Sequence, residues 1–331
     1  MSFNLSNMSW AARSFWKILS GLLVAGLFLV SCSDSSDNPS QDELIADIIS
    51  KVDLDNIIHT VRVLSGEEST MINGEETTIH SRHGRATGNE LAATYIQDVL
   101  RSYGYTPYEV TFSNESAAGP IDDIVANLAG AVDLPILILG AHYDSMPDNS
   151  VAPGADDNAS GVAAVLETAR ILAAYEVKYP VRFMLFDEQE TGELGSGSYA
   201  STMSETPDSL LGMINVDMIG YDGNGDNVLL VNTRSDPPSE WLSNIATGVN
   251  TDFEVGLAVQ IFILGYGTDN LPFWHFGFPA IGVEEHYRDD WNPWHHTTGE
   301  RIFNFNLEYF EKAVKLIAGI TARAAEVKAK K

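Results

Sequence analysis

Basic residues are scarce in this chain of 331 residues: 19 Lys and Arg stand against 46 Asp and Glu, a formal charge of −27. Such a surface repels nucleic acid and anionic lipid headgroups, so neither is expected as a partner. Otherwise the excess acid reads as a well-hydrated soluble surface. Cysteine is nearly absent. Cys32 stands alone, so no disulfide can form within the chain. The apolar run at residues 18–30 falls short of the roughly 20 apolar residues that span a bilayer comfortably. Internal repeats are missing, as are long linkers after about residue 43, which argues for one domain.

What the amino end does contain is ordered in a telling way. Arg13 and Lys17 precede the apolar run, no acidic residue interrupts it, and it stops at Ser31-Cys32, the layout of a signal peptide. Leu29-Val30-Ser31-Cys32 resembles a bacterial lipobox, whose cysteine is lipidated and becomes the first mature residue. With the leader's two cations removed, the formal charge moves from −27 to −29. Residues 34–42 are rich in Ser, Asp, Asn and Pro and read as a solvated tether. The expected division is a signal peptide at 1–31, a disordered tether at 32–42, one domain at 43–327 and a frayed basic helix end at 328–331. The expected location is the bacterial cell envelope, lipid-anchored, in the periplasm or at the outer membrane; Ser33 after Cys32 favours the latter.

Periodicity then gives a fold class. Apolar residues at helical spacing fill 41–64, with a break near Asp53-Leu54-Asp55, and 89–103, closed by Gly104. Further helical segments lie at 159–175, 238–249 and 307–327, and strand-like runs at 108–112, 123–128, 135–140, 181–186, 213–218, 228–231 and 280–283. Strands alternating with helices predict an α/β three-layer sandwich, its mainly parallel central sheet covered by helices on both faces. Ligand sites of such sheets lie beyond the carboxyl ends of the strands.

Polar residues collect at those ends. His142, Tyr143, Asp144 and Ser145 follow one strand; Asp187, Glu188, Gln189 and Glu190 follow another; Asp217 ends a third; His295-His296 lie in the loop after a fourth. Asp156-Asp157-Asn158 opens the helical segment at 159. Imidazole and carboxylate without thiolate suit zinc, and also cobalt or manganese. A majority of carboxylates favours two ions sharing a bridge.

Five stretches make a resemblance specific. They are Gly140-Ala141-His142-Tyr143-Asp144-Ser145; Pro153-Gly154-Ala155-Asp156-Asp157-Asn158-Ala159-Ser160-Gly161; Glu190-Thr191-Gly192; Asn215-Val216-Asp217-Met218-Ile219-Gly220; and His296-Thr297-Thr298. In order and approximate spacing the chain resembles the M28 family of zinc aminopeptidases, in its bacterial leucyl-type branch, from about residue 45 to residue 320. The resemblance implies two zinc ions and peptide substrates, with hydrolysis by a metal-activated water. It also implies that Asp157 bridges the ions, that His142 and Asp217 complete one, that Glu190 and His296 complete the other, and that Asp144 orients His142. His295 is the rival to His296, which Thr297-Thr298 favours. At Asp157-Asn158 the family places a non-proline cis peptide.

One departure bears on catalysis. The family carries a general-base carboxylate just before the Glu190 position, and here Gln189 stands there. An amide orients a water but cannot carry its proton. If the segment is extended, Glu188 projects to the same side as Glu190 and is a possible substitute base. Asn270 and Glu300 also differ from the common His and Asp, in places that bear on substrate contacts. Two other readings compete: a glutaminyl cyclase using Asp157, Glu190 and His296 around one zinc, with Tyr143 and Trp294 in its favour, and a lipoprotein that only binds metal or peptide. Phe262, Ile263, Phe273, Trp274 and Tyr287 are either walls of a substrate pocket or core. A monomer is expected.

Overall fold

The computed structural model describes residues 39–330 apart from 85, 118, 207–208 and 264–266. The signal peptide, the lipobox and Cys32 lie outside the described residues. Ser40 starts the first helix, α1 (Gln41–Ser50), through a capping box: its hydroxyl accepts the Glu43 N–H at 3.2 Å, and its own N–H donates to Glu43 Oε2 at 2.7 Å. Helix thus begins two residues inside the stretch expected to be tether. The break near Asp53 is a fresh cap, since the Asp53 carboxylate accepts N–H groups of Asp55 and Asn56 and opens α2 (Leu54–Leu64). A short hairpin, β1 (Thr70–Ile72) and β2 (Glu75–Thr77), leads to α3 (Thr87–Ser102).

The rest of the chain builds and covers one sheet. Its elements are β3 (Tyr108–Phe112), β4 (Ile121–Leu128), β5 (Ile136–His142), α4 (Gly161–Leu172), β6 (Tyr175–Val177), β7 (Val181–Phe186), α5 (Leu194–Ser204), β8 (Leu210–Asp217), β9 (Val228–Thr233), α6 (Pro237–Asp252), β10 (Ala258–Ile263), α7 (Asn270–His275), β11 (Ala280–Glu285), α8 (Leu307–Ala324) and β12 (Val327–Ala329). The eight-stranded order is β10-β9-β11-β8-β5-β7-β4-β3. The central strands β11, β8, β5 and β7 run parallel, while β9 is antiparallel to β11, β4 to β7 and β3 to β4. The sheet is therefore mixed at its margins and parallel where the chemistry sits.

Alternation along the strands makes two cores. Leu137, Leu139 and Ala141 of β5 face α4 and α8, whereas Ile138 joins Val125, Met184, Met213 and Phe273 beneath α5 and α7. Helix α4 is apolar almost all round because it is buried almost all round, between the sheet and helices α2 and α8.

Periodicity mistook or missed several elements. The expected helix 159–175 ends at Leu172, and residues 175–177 form β6, which pairs with β12. Residues 327–329 are therefore a strand, so 328 and 329 are not part of a frayed helix end; Lys330 donates to the Ala173 carbonyl at 2.6 Å. Edge strand β10 was not read because its residues are mostly exposed, leaving no buried stripe.

Arg82 fastens the region next to the strand ends. It is fully buried, and its guanidinium donates to the carbonyls of Tyr143 (2.7 Å), Leu64 (2.6 Å), Pro153 (2.6 Å) and Gly154 (2.8 Å). Burial pulls its pKa down to about 10, against the opposing pull of Glu300, Asp144, Asp157 and Glu190. Arg82→Met leaves the Tyr143, Leu64 and Pro153 carbonyls without this donor, Gly154 keeping the Ala159 N–H at 3.1 Å, and should cost about 3 kcal/mol or more of unfolding free energy in a urea titration. A loss below about 1 kcal/mol would show that these loops hold themselves.

Candidate metal centre

Three parallel strands and two loops deliver the side chains that the sequence singled out. His142 ends β5, Glu190 lies just past β7, Asp217 ends β8, Asp157 sits in the turn before α4, and His296 in the loop after β11. His142 Nε2 is 3.1 Å from Asp157 Oδ1 and 3.4 Å from Asp217 Oδ1. On the other side, His296 Nε2 is 3.0 Å from both Asp157 Oδ2 and Glu190 Oε2. Asp157 gives a different oxygen to each group. His295 Nε2 also lies 3.0 Å from Asp157 Oδ2, with its ring stacked on His296 at 3.7 Å. Only His296 reaches Glu190 as well.

The surrounding hydrogen bonds fix these positions. Asp144 Oδ1 is 3.2 Å from His142 Nδ1, and its two oxygens accept the Gln189 and Glu190 N–H groups, both at 3.1 Å. Glu300 accepts N–H groups of Asp156 (3.0 Å), Asp157 (2.6 Å) and His296 (3.1 Å), so one buried carboxylate sets both the central Asp and the last His. The sequence flagged Glu300 only as a departure near the substrate. Asn158 ties the turn to β8, donating to Val216 O at 2.8 Å, and the Asp157–Asn158 peptide is cis.

Glu188 does not behave as an extended segment would require. The strand ends at Phe186, Glu188 has φ +55°, and its carboxylate lies against Gly84 and accepts from the Thr191 hydroxyl. It is buried, not solvent-facing. Left-handed backbone breaks the alternation that would put it beside Glu190. Gln189 is half-buried next to the ligand cluster.

The residues fit a metal. Three buried atoms, His142 Nε2, Asp217 Oδ1 and Glu190 Oε1, have no hydrogen-bond partner, although His142 Nε2 faces both Asp157 and Asp217 within 3.4 Å. Buried polar atoms are left so only where something else takes them up. Imidazole nitrogen with carboxylate oxygen, and no thiolate, is a zinc donor set. Charge crowding is severe. Burial and the Asp157 charge push Glu190 up to about 8; burial outweighed by hydrogen bonds to Asp157 and Glu190 leaves His296 raised to about 10. Asp157 goes the other way, well below the carboxylate range, because bonds from His142, His295 and His296 overcome its burial.

A cavity of about 400 Å³ opens beside the centre, lined by Asp217, Met218, Glu284, Tyr287, Trp291 and His295 among others. Of the five apolar wall candidates only Tyr287 lines it. Phe273 and Trp274 are core, Ile263 is half exposed, and Phe262 carries Arg288 over its ring at 4.1 Å. The Tyr143 hydroxyl donates to the Asp122 carbonyl and Trp294 packs on Phe303, so neither aromatic read in favour of a cyclase lines the cavity. Met218, Glu284 and Trp291 were missed. The doublet Glu284-Glu285 carried the same signal as the other strand ends, acid directly after an apolar strand.

Fold and centre together define a metallohydrolase of the parallel α/β type. The pattern of Peptidase family M28 matches residues 123–321, and the chain belongs to that family. It is 28% identical over 329 residues to a probable zinc metalloprotease of Pyrenophora tritici-repentis, covering 84% of this chain and 75% of that one. The Legionella pneumophila LapA aminopeptidase has the same fold, with a TM-score of 0.72 at 22% identity over 86% of this chain and 76% of that one. So does a Macrostomum lignano glutaminyl cyclase, at 0.66 and 16% over 86% and 93%.

The crowding has a measurable sign. Asp187 and Asp269 are pushed by burial up to about 7, as Glu190 is to about 8, so the folded state holds protons that the unfolded chain releases near pH 4. Raised carboxylates contribute stability that is full below the unfolded pKa and lost as pH rises through the folded one. After chelation, Tm should therefore fall between about pH 5 and about pH 8, and zinc should restore it most at the upper end. A chelated protein whose Tm stays flat over that range would contradict these shifts.

Proposed function

We propose that this protein is a zinc aminopeptidase that removes the first residue of short peptides. The observation that carries the reading is the division of Asp157, one oxygen toward His142 and Asp217 and the other toward His296 and Glu190. That division suits two ions, with Asp157 as the bridge, His142 and Asp217 on one and Glu190 and His296 on the other. The two positions are expected to hold zinc, which when bound acidifies a water and polarises the scissile carbonyl. Asp144 keeps His142 aimed, and Glu300 keeps Asp157 and His296 in register. The cavity beside Asp217 takes the side chain of the first residue.

Gln189 sets the rate. A carboxylate there would take the proton of the attacking water and pass it to the leaving amine; the amide only orients. General-base catalysis typically contributes about 10²- to 10⁴-fold. Release of chromophore from a panel of aminoacyl anilides by the full-length protein should therefore be slow, and Gln189→Glu should raise kcat by about 10²-fold or more with zinc content unchanged. An equal rate in both proteins would mean that another group carries the proton. Silence in both, with no zinc bound, would sink the ligand set. A second reading, binding of metal or peptide without turnover, is favoured by Gln189 alone, and corresponds to a silent wild type with zinc in place.

The chain is proposed to work at the bacterial cell envelope, held by a lipid on Cys32, an inference supported by Leu29-Val30-Ser31-Cys32 after a signal-like leader. Cys32→Ser should abolish incorporation of labelled palmitate. Label retained by the variant would remove the anchor from this account.

A further inference from the structure

Most of the cavity beside the metal centre is walled by carbon, from Met218, Tyr287 and Trp291. One wall is not. Glu284 lines the same space, is only 6% exposed, and its Oε1 has no hydrogen-bond partner. Among the described residues no cation offsets it: burial first and the like charge of Asp217 second push its pKa well above the carboxylate range, opposed only by the neutral amide of Asn232. A buried carboxylate with no cation beside it and one oxygen unsatisfied is costly.

Its neighbour Glu285 also lines the cavity and also has one oxygen, Oε1, without a partner, but its other oxygen is held by the backbone. Glu285 projects to the opposite face of β11, where Oε2 accepts the Tyr221 N–H at 2.8 Å. Glu284 shares its face with Gly282, and a Cβ at 282 would come within 2.9 Å of Glu284 Oε1 and of Asn270 Oδ1. Glycine at that position leaves room for the carboxylate, and any other residue would crowd it. In the parallel register Glu284 stands opposite Asp217, one strand over, about 4.8 Å away. On the aminopeptidase reading, a substrate held at the centre by its amino end would send its first side chain past Met218 and the aromatic rings toward Glu284.

We propose that Glu284 selects substrates whose first residue is basic, Arg or Lys. The proposal rests on the aminopeptidase reading above. The methylene stem of such a residue lies against the apolar walls, and its cation meets the unpaired carboxylate, with the Trp291 and Tyr287 rings close enough to add cation–π attraction. Leucine would fill the walls but leave the carboxylate buried and unpaired. The chain's net charge of −27 draws cationic peptides toward the surface as well.

Binding tests this without relying on turnover, which Gln189 limits. Argininamide and leucinamide carry the same amine and amide, so in calorimetry on the zinc-loaded full-length protein their difference reports what the side chain adds, and Glu284→Gln separates the pocket from the general attraction of the acidic surface. Argininamide should bind at least about tenfold more tightly, and Glu284→Gln, which keeps shape and removes charge, should shrink that ratio about tenfold. Leucinamide binding as tightly as argininamide in the wild type overturns the role of Glu284 whether or not the variant folds, as does a ratio unchanged in a folded variant. If neither amide binds, the aminopeptidase reading fails and takes this inference with it.

Discussion

One carboxylate organises this protein: Asp157, whose two oxygens face two different clusters of ligands. For that to hold, a turn must place Asp157 midway between strand ends that are themselves fixed by the sheet. Parallel pairing of β7, β5, β8 and β11 brings Phe186, His142, Asp217 and Glu284 to one edge, since parallel register puts like ends together. The turn is then pinned from every side. Glu300 takes the Asp157 N–H, Asn158 reaches β8, Asp156 Oδ1 accepts the Gly220 N–H at 2.8 Å, and Arg82 holds the carbonyls of Pro153 and Gly154. Without these bonds, mutual repulsion among Asp144, Asp157, Glu190 and Asp217 would spread the strand ends apart.

Much of this was legible in the sequence because two simple regularities coincide. Apolar runs ending in acid or imidazole mark the C-terminal edge of a parallel sheet, and five such stretches in one domain cannot be casual. His142, Asp157, Glu190, Asp217 and His296 do meet at one edge of the sheet. What the sequence could not convey is where the backbone turns left-handed. Glu188, Met218 and His296 all have φ between +51° and +58°, a region that nothing in their side chains announces. Alternation therefore misplaced Glu188. Reading the loop 284–296 for its histidine ligand and for Tyr287 likewise hid Trp291 and Glu284, which share the cavity. Glu300 shows the same limit: its importance comes from three backbone N–H groups distant in sequence, which no pattern of residue types predicts.

Gln189 and Glu284 acquire meaning against this crowded field. Burial first and like charge second make ionised carboxylates costly near the centre, as Glu190 at about 8 and Asp269 at about 7 record. Divalent cations relieve the ligands, so the centre and its metal are one electrostatic unit. A carboxylate at 189 would sit inside that unit, and an amide there lightens the load while removing the residue suited to carry a proton. Glu284 sits one strand outside it, beyond the oxygen that Asp217 directs at His142. Metal at the ligands therefore leaves Glu284 without a cation of its own, and on the proposed reading that cation comes with the substrate. On the proposed reading, the charge missing at position 189 and the acid kept at the pocket push the protein the same way, toward slow turnover of a chosen class of amino terminus and away from fast turnover of many.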